Sequence, residues 1–443
     1  MLDNSRRHQL KFVFASLLGM ALFLFPMPIA GEASVLLAHA NRYVKEHLMD
    51  EVLGYGAIAS MLTLLCSILV NLLPGFGARL PQKFASVFEA RPLALFVRLA
   101  GAAIYLMVYF GWGPELLIGE ETGAMVVTTF IAGLYVTFTL GNIILPLLLE
   151  FGLLEFIGRI LQPVMRKCFN VPGRSAVDAV ASFVGDGTLG IIVTDEQYAQ
   201  GHYTKREATL IAMSFSVVGI AFASFVAEEL GFADRFLLFY GTIIVSSILV
   251  AWLLARSPLI KRYPDAYHSG KERHSQAAPT GFGLAEAYES ALKRSSKGGL
   301  HSFKKMLPVI FDIHMTFMPV IVFVGTLGLI IASETPLFTW LSYPLVPLFE
   351  LLRIPDAELV ASASIVGFVD MYLPTIFIRE SSSELARFVV GTLSFTQLIF
   401  MAETGAILLK TRMGFKFHEV LGFFLVRTLL SLPVIVIIGH VFL

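Results

Sequence analysis

The sequence predicts an all-α polytopic membrane protein, with about nine spanning helices plus two opposed re-entrant hairpins in an inverted repeat. Three observations predict it. Of 443 residues, 56% are hydrophobic and only 15% charged, where a soluble domain carries about 25% charged residues. The apolar residues fall in runs close to the ~20 residues that cross about 30 Å of hydrocarbon. Two of the runs are broken in mid-course by glycine, aspartate and proline.

Nine runs are long enough to span: 10–30, 55–76, 93–112, 124–149, 208–227, 236–254, 306–331, 386–409 and 418–442. The first follows Arg6, Arg7, His8 and Lys11 in the manner of a signal peptide. Its length, and the lack of a small-x-small site after it, favour an uncleaved first span. The two broken stretches are 175–194, carrying "GDGTLG", and 359–378, carrying "GFVDMYLP" with Gly367, Asp370 and Pro374. Glycine and proline weaken a helix and leave backbone groups unsatisfied in lipid.

Basic residues set the sides, because cytoplasmic loops are rich in lysine and arginine. Residues 256–305 hold ten basic side chains against four acidic ones, so this segment is read as cytoplasmic. Its Ser, His, Gly and Pro content reads as a flexible linker. The basic stretches 77–92, 150–174 and 410–416 fall on the same side. The acidic connections around Glu115, Glu120 and Glu121, and around Glu228, Glu229 and Asp234, fall outside. With residue 150 inside, 208–227 must also start inside. The stretch 175–194 therefore enters and leaves by the cytoplasmic face, and 359–378 does the same from outside.

The chain then divides into an N-terminal three-helix region (1–123), a first repeat (124–255), the linker (256–305) and a second, inverted repeat (306–443). Weak echoes support the repeat. "NVPGRSAVDAVASFVGD" faces "RIPDAELVASASIVGFVD", and "MSFSVVG" (213–219) faces "LSFTQLI" (393–399). A short amphipathic run precedes each hairpin. Inverted repeats with broken intramembrane helices are the architecture of secondary transporters, whose sites lie near the midplane between the repeats.

At "NIILPLLLEFG", at "FNVPGRSAVDAVASFVGDGTLGIIVTDEQYAQGHYTKREATLIAMSFSVVG" and at "FVGTLGLII" the chain resembles the nucleoside recognition, or Gate-domain, membrane proteins, in particular the bacterial YjiH-like branch. The resemblance covers residues 124–442. It implies the scaffold of the concentrative nucleoside transporters, in which leading spans, an interfacial helix and two opposed hairpins enclose the ligand. It also implies a homo-oligomer, trimer or dimer. The nucleoside carriers' polar hairpin motifs are absent from this chain, as are the cysteine motif and GTPase domain of the ferrous-iron branch.

The candidate substrate- or ion-binding residues are Gly185, Asp186, Gly187, Thr188, Ser214, Ser216, Asp370, Ser394, Thr396, Gln397 and Glu403. A carboxylate at mid-membrane costs a few kcal/mol or more unless paired or hydrated. Asp186 therefore either serves the ligand or caps the second half of its hairpin. Asp370 is its counterpart. Thr396 and Glu403, seven apart, fall on one face of a continuous helix. Serine and threonine in spans often only bond back to the preceding turn. Arg427 reads as a buried cation paired with an acid, and Asp178 as another intramembrane charge. Asn142 reads either way. Asp312 and His314 suit a proton relay, with an interfacial histidine as the plainer alternative.

These features point to a carrier of a small polar solute of the nucleoside, amino acid or dipeptide class, working by alternating access in a bacterial inner membrane. One carboxylate would bind H⁺ or balance Na⁺; no other cofactor is expected. The N-terminus and the 256–305 loop would be cytoplasmic. A non-transporting scaffold or assembly protein of the same fold is the alternative, and an intramembrane enzyme or lipid-handling protein a third reading. No hydrolase triad, P-loop, HExxH or carboxylate-pair motif stands out, so enzymatic chemistry is not expected. Cys66 and Cys168 offer neither a disulfide framework nor metal-ligand spacing. No basic-aromatic groove for nucleic acid exists.

Overall fold

In a computed structural model the described residues are mostly helical, with one two-stranded β ribbon. The structure describes all residues except 1, 25–26, 30–31, 74–75, 185–186, 216, 218 and 269–282. Helix α1 (Leu2–Leu24) is followed by strands β1 (Met27–Ile29) and β2 (Glu32–Ser34), which pair antiparallel. Then come α2 (Leu36–His47), α3 (Met49–Leu72), α4 (Gln82–Phe88), α5 (Pro92–Phe110) and the long α6 (Met125–Leu149). An amphipathic helix, α7 (Leu153–Val164), precedes a hairpin of α8 (Ser175–Val184) and α9 (Gly187–Ala199). Helices α10 (Lys205–Phe215), α11 (Ile220–Glu229) and α12 (Phe236–Arg256) complete the first repeat.

After α13 (Leu284–Ser295) the same order returns. It runs through α14 (Leu300–Glu334), a short apolar α15 (Leu337–Leu351), a hairpin of α16 (Ala357–Val366) and α17 (Leu373–Ile378), then α18 (Glu384–Gln397), α19 (Thr404–Leu408) and α20 (Phe417–Phe442). Seven segments among the described residues are long and apolar enough to cross a membrane: 49–72, 92–110, 125–149, 205–229, 236–256, 300–334 and 417–442. The apolar part of α1 (His8–Phe23) and the interrupted pair α18–α19 account for the other two expected passes.

Neither hairpin crosses. Helix α8 has 10 residues and α17 has 6. In each hairpin the second arm folds back on the first, α9 on α8 and α17 on α16, so the chain returns towards the side from which it entered. Each repeat therefore makes an odd number of crossings, and the second repeat begins on the side opposite the first. The two hairpins are opposed for that reason.

The chain folds as two compact units built from separated segments. One comprises 1–36, 144–302 and 342–443, and so holds both hairpins and both interrupted helices. The other comprises 37–143 and 303–341. In the second unit α5 and α14 approach so closely that a Cβ on Gly101 would run into the backbone carbonyl of Pro319. Asn41 on α2 donates its Nδ2 to Thr137 Oγ1 at 2.7 Å, both residues being fully buried.

Four features differ from expectation. The first helix stops at Leu24 and gives way to the β ribbon, so it does not run to Ala30; Pro28, which cannot continue a helix, lies in β1. The spans 208–227 and 386–409 are not single helices: in the first α10 ends at Phe215 and α11 starts at Ile220, and in the second α18 ends at Gln397 and α19 starts at Thr404. The 256–305 segment is not wholly a flexible linker. Residues 284–295 form α13, which packs its small residues Ala287 and Ala291 on α7 and α1. Arg294 there reaches Glu150 at 2.8 Å and Glu155 at 3.3 Å, while Ser295 donates to the His8 carbonyl. Burial pushes the Glu155 carboxyl above its ordinary range, and a backbone hydrogen bond and the Arg294 guanidinium pull it back.

The close approach of α5 to α14 yields a test. Gly101→Ala should lower the thermal midpoint of the detergent-solubilised protein by the equivalent of about 1–3 kcal/mol, the usual cost of overpacking. Gly241, in α12, has open space where a Cβ would stand. Gly241→Ala should leave stability unchanged or raise it by up to about 1 kcal/mol. Equal effects at the two positions would contradict the packing described.

Candidate functional site

The first unit gathers two hairpins and two interrupted helices. Helix α10 opens with a capping box: Thr204 N–H donates to Glu207 Oε2 at 2.8 Å and Glu207 N–H to Thr204 Oγ1 at 3.3 Å. It ends at Phe215, and α11 restarts after Gly219 in extended conformation. Helix α18 opens on Ser383, whose Oγ accepts from Ala386 N–H. It ends at Gln397 because Leu398 turns left-handed, at φ 62°. That conformation is costly for a leucine and persists only when its surroundings hold it. Thr404 supplies part of the hold. Its Oγ1 donates to the Leu398 carbonyl at 2.9 Å and accepts from Phe400 N–H at 3.1 Å.

The unwound segment and the second hairpin satisfy each other. Met401 N–H donates to the Phe368 carbonyl at 2.8 Å, and Ala402 N–H to the Val369 carbonyl at 3.0 Å. Asp370 lies in the hairpin turn and is buried. Its Oδ1 accepts from Tyr372 N–H at 2.8 Å, and Leu373 N–H also bonds the carboxylate. Asp370 thus caps the start of α17. Gln397, 1% exposed, joins three elements. Its Nε2 donates to the Ser364 carbonyl at 3.0 Å and to Thr428 Oγ1 at 2.9 Å. Its Oε1 has no partner among the described residues and lies 2.5 Å from where a Cβ on Gly367 would stand, so a larger residue at 367 would have to push it aside.

Arg427, at the middle of α20, is fully buried. Its Nε and Nη2 both donate to the Thr396 carbonyl, at 2.9 and 2.7 Å, and its Nη1 donates to the Met213 carbonyl at 2.8 Å. These carbonyls sit in the last turns of α18 and α10, where a broken helix has orphan acceptors. The expected acid partner is therefore replaced by two helix ends: among the described residues, the guanidinium bonds only carbonyl oxygens.

The repeats exchange contacts. Tyr372 of the second hairpin packs against Phe222 and Phe225 of α11, with ring centroids 5.9 and 5.6 Å apart. Helix α9 of the first hairpin packs on α19. Arg412, just beyond α19, donates its N–H to Asp195 at 2.8 Å and its Nη1 to Glu196 at 3.1 Å. In the first hairpin, Tyr240 of α12 donates to the Phe183 carbonyl at 2.6 Å, satisfying an arm end, and Tyr203 donates to Asp178 at 2.5 Å.

Of the residues singled out by sequence, Gly185, Asp186 and Ser216 lie outside the described residues. Gly187 opens α9 and Thr188 follows in its first turn. Ser214 is fully buried in the last turn of α10, with no partner for its Oγ among the described residues. Ser394 and Thr396 bond back to the Gly391 and Leu393 carbonyls, the plainer of the two roles open to them. Thr396 and Glu403 do not share a helical face. The helix between them is unwound, and Glu403 is a half-exposed residue at the start of α19. Asn142 bonds back to Phe138.

His314 is enclosed by other side chains of the protein. It is buried in the second unit, with Nδ1 2.6 Å from Tyr55 Oη and Nε2 3.3 Å from Thr139 Oγ1. Asp312 sits near it in sequence and bonds Thr316. Among the described residues no group of His, Cys, Asp or Glu is arranged to hold a metal ion, and both cysteines are free. The carbonyls of 213 and 396 were missed by sequence reasoning. Only the echo between "MSFSVVG" and "LSFTQLI", in two otherwise unremarked spans, pointed at them.

The capping geometry at Asp370 makes a measurable claim. Asp370→Asn, which keeps an acceptor oxygen, should hold the thermal stability of the purified protein. Asp370→Ala should lose about 1 kcal/mol, the usual worth of a cap. An alanine variant as stable as the parent would show that the carboxylate does not hold the turn.

The chain is similar to several known proteins. Residues 131–233 match the Gate family, described as nucleoside recognition. Two solved structures are similar in outline. CNTnw in an inward-facing substrate-bound state has 12% identity and a TM-score of 0.46, covering 91% of this chain and 97% of that one. A doubly substituted CNTnw in an outward-facing state has 14% identity and a TM-score of 0.43, covering 97% of each chain. A protein of Alkalihalophilus pseudofirmus is 36% identical over 441 residues, spanning 98% of this chain and 95% of its own length. With that much shared sequence end to end, and the Gate match within it, the chain belongs to the nucleoside recognition (Gate) family of membrane proteins, together with its Alkalihalophilus relative.

Proposed function

We propose that the protein is a secondary carrier that moves a small polar solute across the bacterial inner membrane by alternating access. One observation carries this reading. Each hairpin packs against the interrupted helix of the opposite repeat, through Tyr372 on α11 and through α9 on α19. Broken backbone at membrane depth persists only where it is buried in protein or lines a cavity. Carriers built from inverted repeats use such breaks to form their solute sites.

The residues proposed to face the solute are those at the two breaks and hairpin turns: Ser214, Ser216 and Gln397, with Gly185, Asp186, Gly187 and Thr188 at the first turn and Asp370 at the second. Buried Oγ of Ser214 and Oε1 of Gln397 support this, since each is a polar atom whose protein partner is lacking among the described residues. A buried acceptor or donor left unmade costs about 1–3 kcal/mol; a polar solute would recover it. The family description puts nucleosides first among the solutes, ahead of amino acids and dipeptides. The ten basic residues of 256–305 put that segment and the N-terminus on the cytoplasmic side.

Purified protein in liposomes should accumulate or exchange at least one labelled solute of these classes. Gln397→Leu should weaken its binding by roughly tenfold, as for one lost hydrogen bond of about 1–1.5 kcal/mol. Failure of every solute to cross, with the protein folded, would favour the scaffold reading. Sidedness has its own check, in a cysteine-free background. Single cysteines at Ser175 and Thr194 should label from the same face of the membrane. A cysteine at Asp370 should label from the opposite face to one at Gly187. Labelling of 175 and 194 from opposite faces would remove the hairpin and the inverted repeat with it.

A further inference from the structure

The C-terminal end of a helix carries about half a negative charge, spread over carbonyls that have lost their intrahelical donors. Two such ends meet one side chain in this protein. The Met213 and Thr396 carbonyls lie in the final turns of α10 and α18, and the residues four ahead, Val217 and Phe400, are already outside those helices. In ion-coupled carriers the unwound carbonyls and half-helix C-terminal ends of the repeats are the groups that hold the coupling cation. Here those groups hold the Arg427 guanidinium through three hydrogen bonds of 2.7–2.9 Å.

Resting on the transport reading above, we infer that Arg427 is a resident cation in the position of a coupling ion, and that solute binding and transport by this protein are independent of sodium. The charge balances: two half-charges from the helix ends sum to about one negative unit, against one positive unit on the side chain. The geometry fits as well. A guanidinium is a planar fork with five donors, so one group can serve two carbonyls that lie 183 residues apart in sequence. Its place is fixed, because Arg427 is part of α20 and is fully buried. A mobile cation at the same carbonyls would meet a like charge in a poorly screened interior. Nor does the guanidinium carry a proton across, since arginine keeps its proton at neutral pH. Gradient energy, if used, enters elsewhere.

The test uses the full chain in detergent and needs no known solute. The thermal midpoint of the wild-type protein is measured in sodium, potassium and choline chloride at matched ionic strength, and should be the same in all three. A bound ion present at a hundredfold its Kd raises the midpoint by several degrees, so a sodium-specific rise of that size would overturn the inference. Arg427→Ala removes the resident charge and should lower the midpoint. Methylguanidinium should restore part of the loss, and tetramethylammonium, which has no donor, should not. Arg427→Met with a wild-type midpoint would overturn the inference from the other side, since the helix ends would then need no cation. In liposomes, uptake of any transported solute should be the same with sodium or choline outside. Sodium-indifferent stability in a protein that moves no solute keeps the cation assignment and removes the transport reading. Sodium-dependent uptake does the reverse.

Discussion

A peptide group in hydrocarbon has no water to turn to, so every interruption of a membrane helix must find its own donors and acceptors. That constraint organises the first unit of this protein. At the second break, Met401 and Ala402 give their N–H groups to the turn of the second hairpin, and Thr404 serves the Leu398 carbonyl and the Phe400 amide. Asp370 caps the arm that follows the turn. At the ends of α10 and α18 one arginine serves both helices. The interruption and the hairpin are thus one structural device: neither satisfies its backbone without the other. A helix broken at 398–403 without a hairpin beside it would expose a row of amides to lipid, at several kcal/mol each.

The same constraint explains why Arg427 is tolerated. Moving a guanidinium out of water is expensive, and an unpaired one would neutralise or unfold the site. Here its bonds are charge-assisted, roughly twice as strong as neutral ones, and are made to carbonyls that would otherwise be orphans. Each side removes the other's penalty. Gln397 acts on a smaller scale, linking the end of α18 to α16 and α20 through its Nε2.

Much of this was legible in the sequence and some was not, for physical reasons. The spans showed because crossing hydrocarbon needs long apolar runs. The hairpins showed because Gly185, Gly187, Gly367 and Pro374 are costly in a continuous helix, and because the basic loops fixed the crossing parity. The breaks between α10 and α11 and between α18 and α19 stayed hidden. Residues such as Val217, Leu398, Ile399 and Phe400 are as apolar as any span, and at the second break the backbone is satisfied by tertiary bonds to residues tens of positions away. Arg427 was visible as a buried charge, but its partners are backbone carbonyls, which every residue carries and no pattern marks. Helix α13 was missed because the Ser-, Gly- and Pro-rich run before it set the reading of the whole loop. Its own sequence repeats small apolar residues at Ala287 and Ala291, a helical spacing.

The bonding pattern also decides which parts of the first unit can move against each other. Arg427 ties the ends of α10 and α18 to α20 through charged bonds worth about 1.5–3 kcal/mol each. Separating those helices would strip several such bonds at once with no water to replace them. The turn of the second hairpin is held more weakly, by two neutral backbone bonds to 401–402. The first hairpin also has charge-assisted ties, from Tyr203 to Asp178 and from Arg412 to Asp195 and Glu196. Neutral bonds like those at the second turn contribute about 0.5–1.5 kcal/mol each, so their exchange lies within reach of the binding energy of a small solute. The joint of α10, α18 and α20 at Arg427 is therefore the tightest in the unit, while the neutral bonds between the second hairpin turn and 401–402 are among those that cost least to exchange.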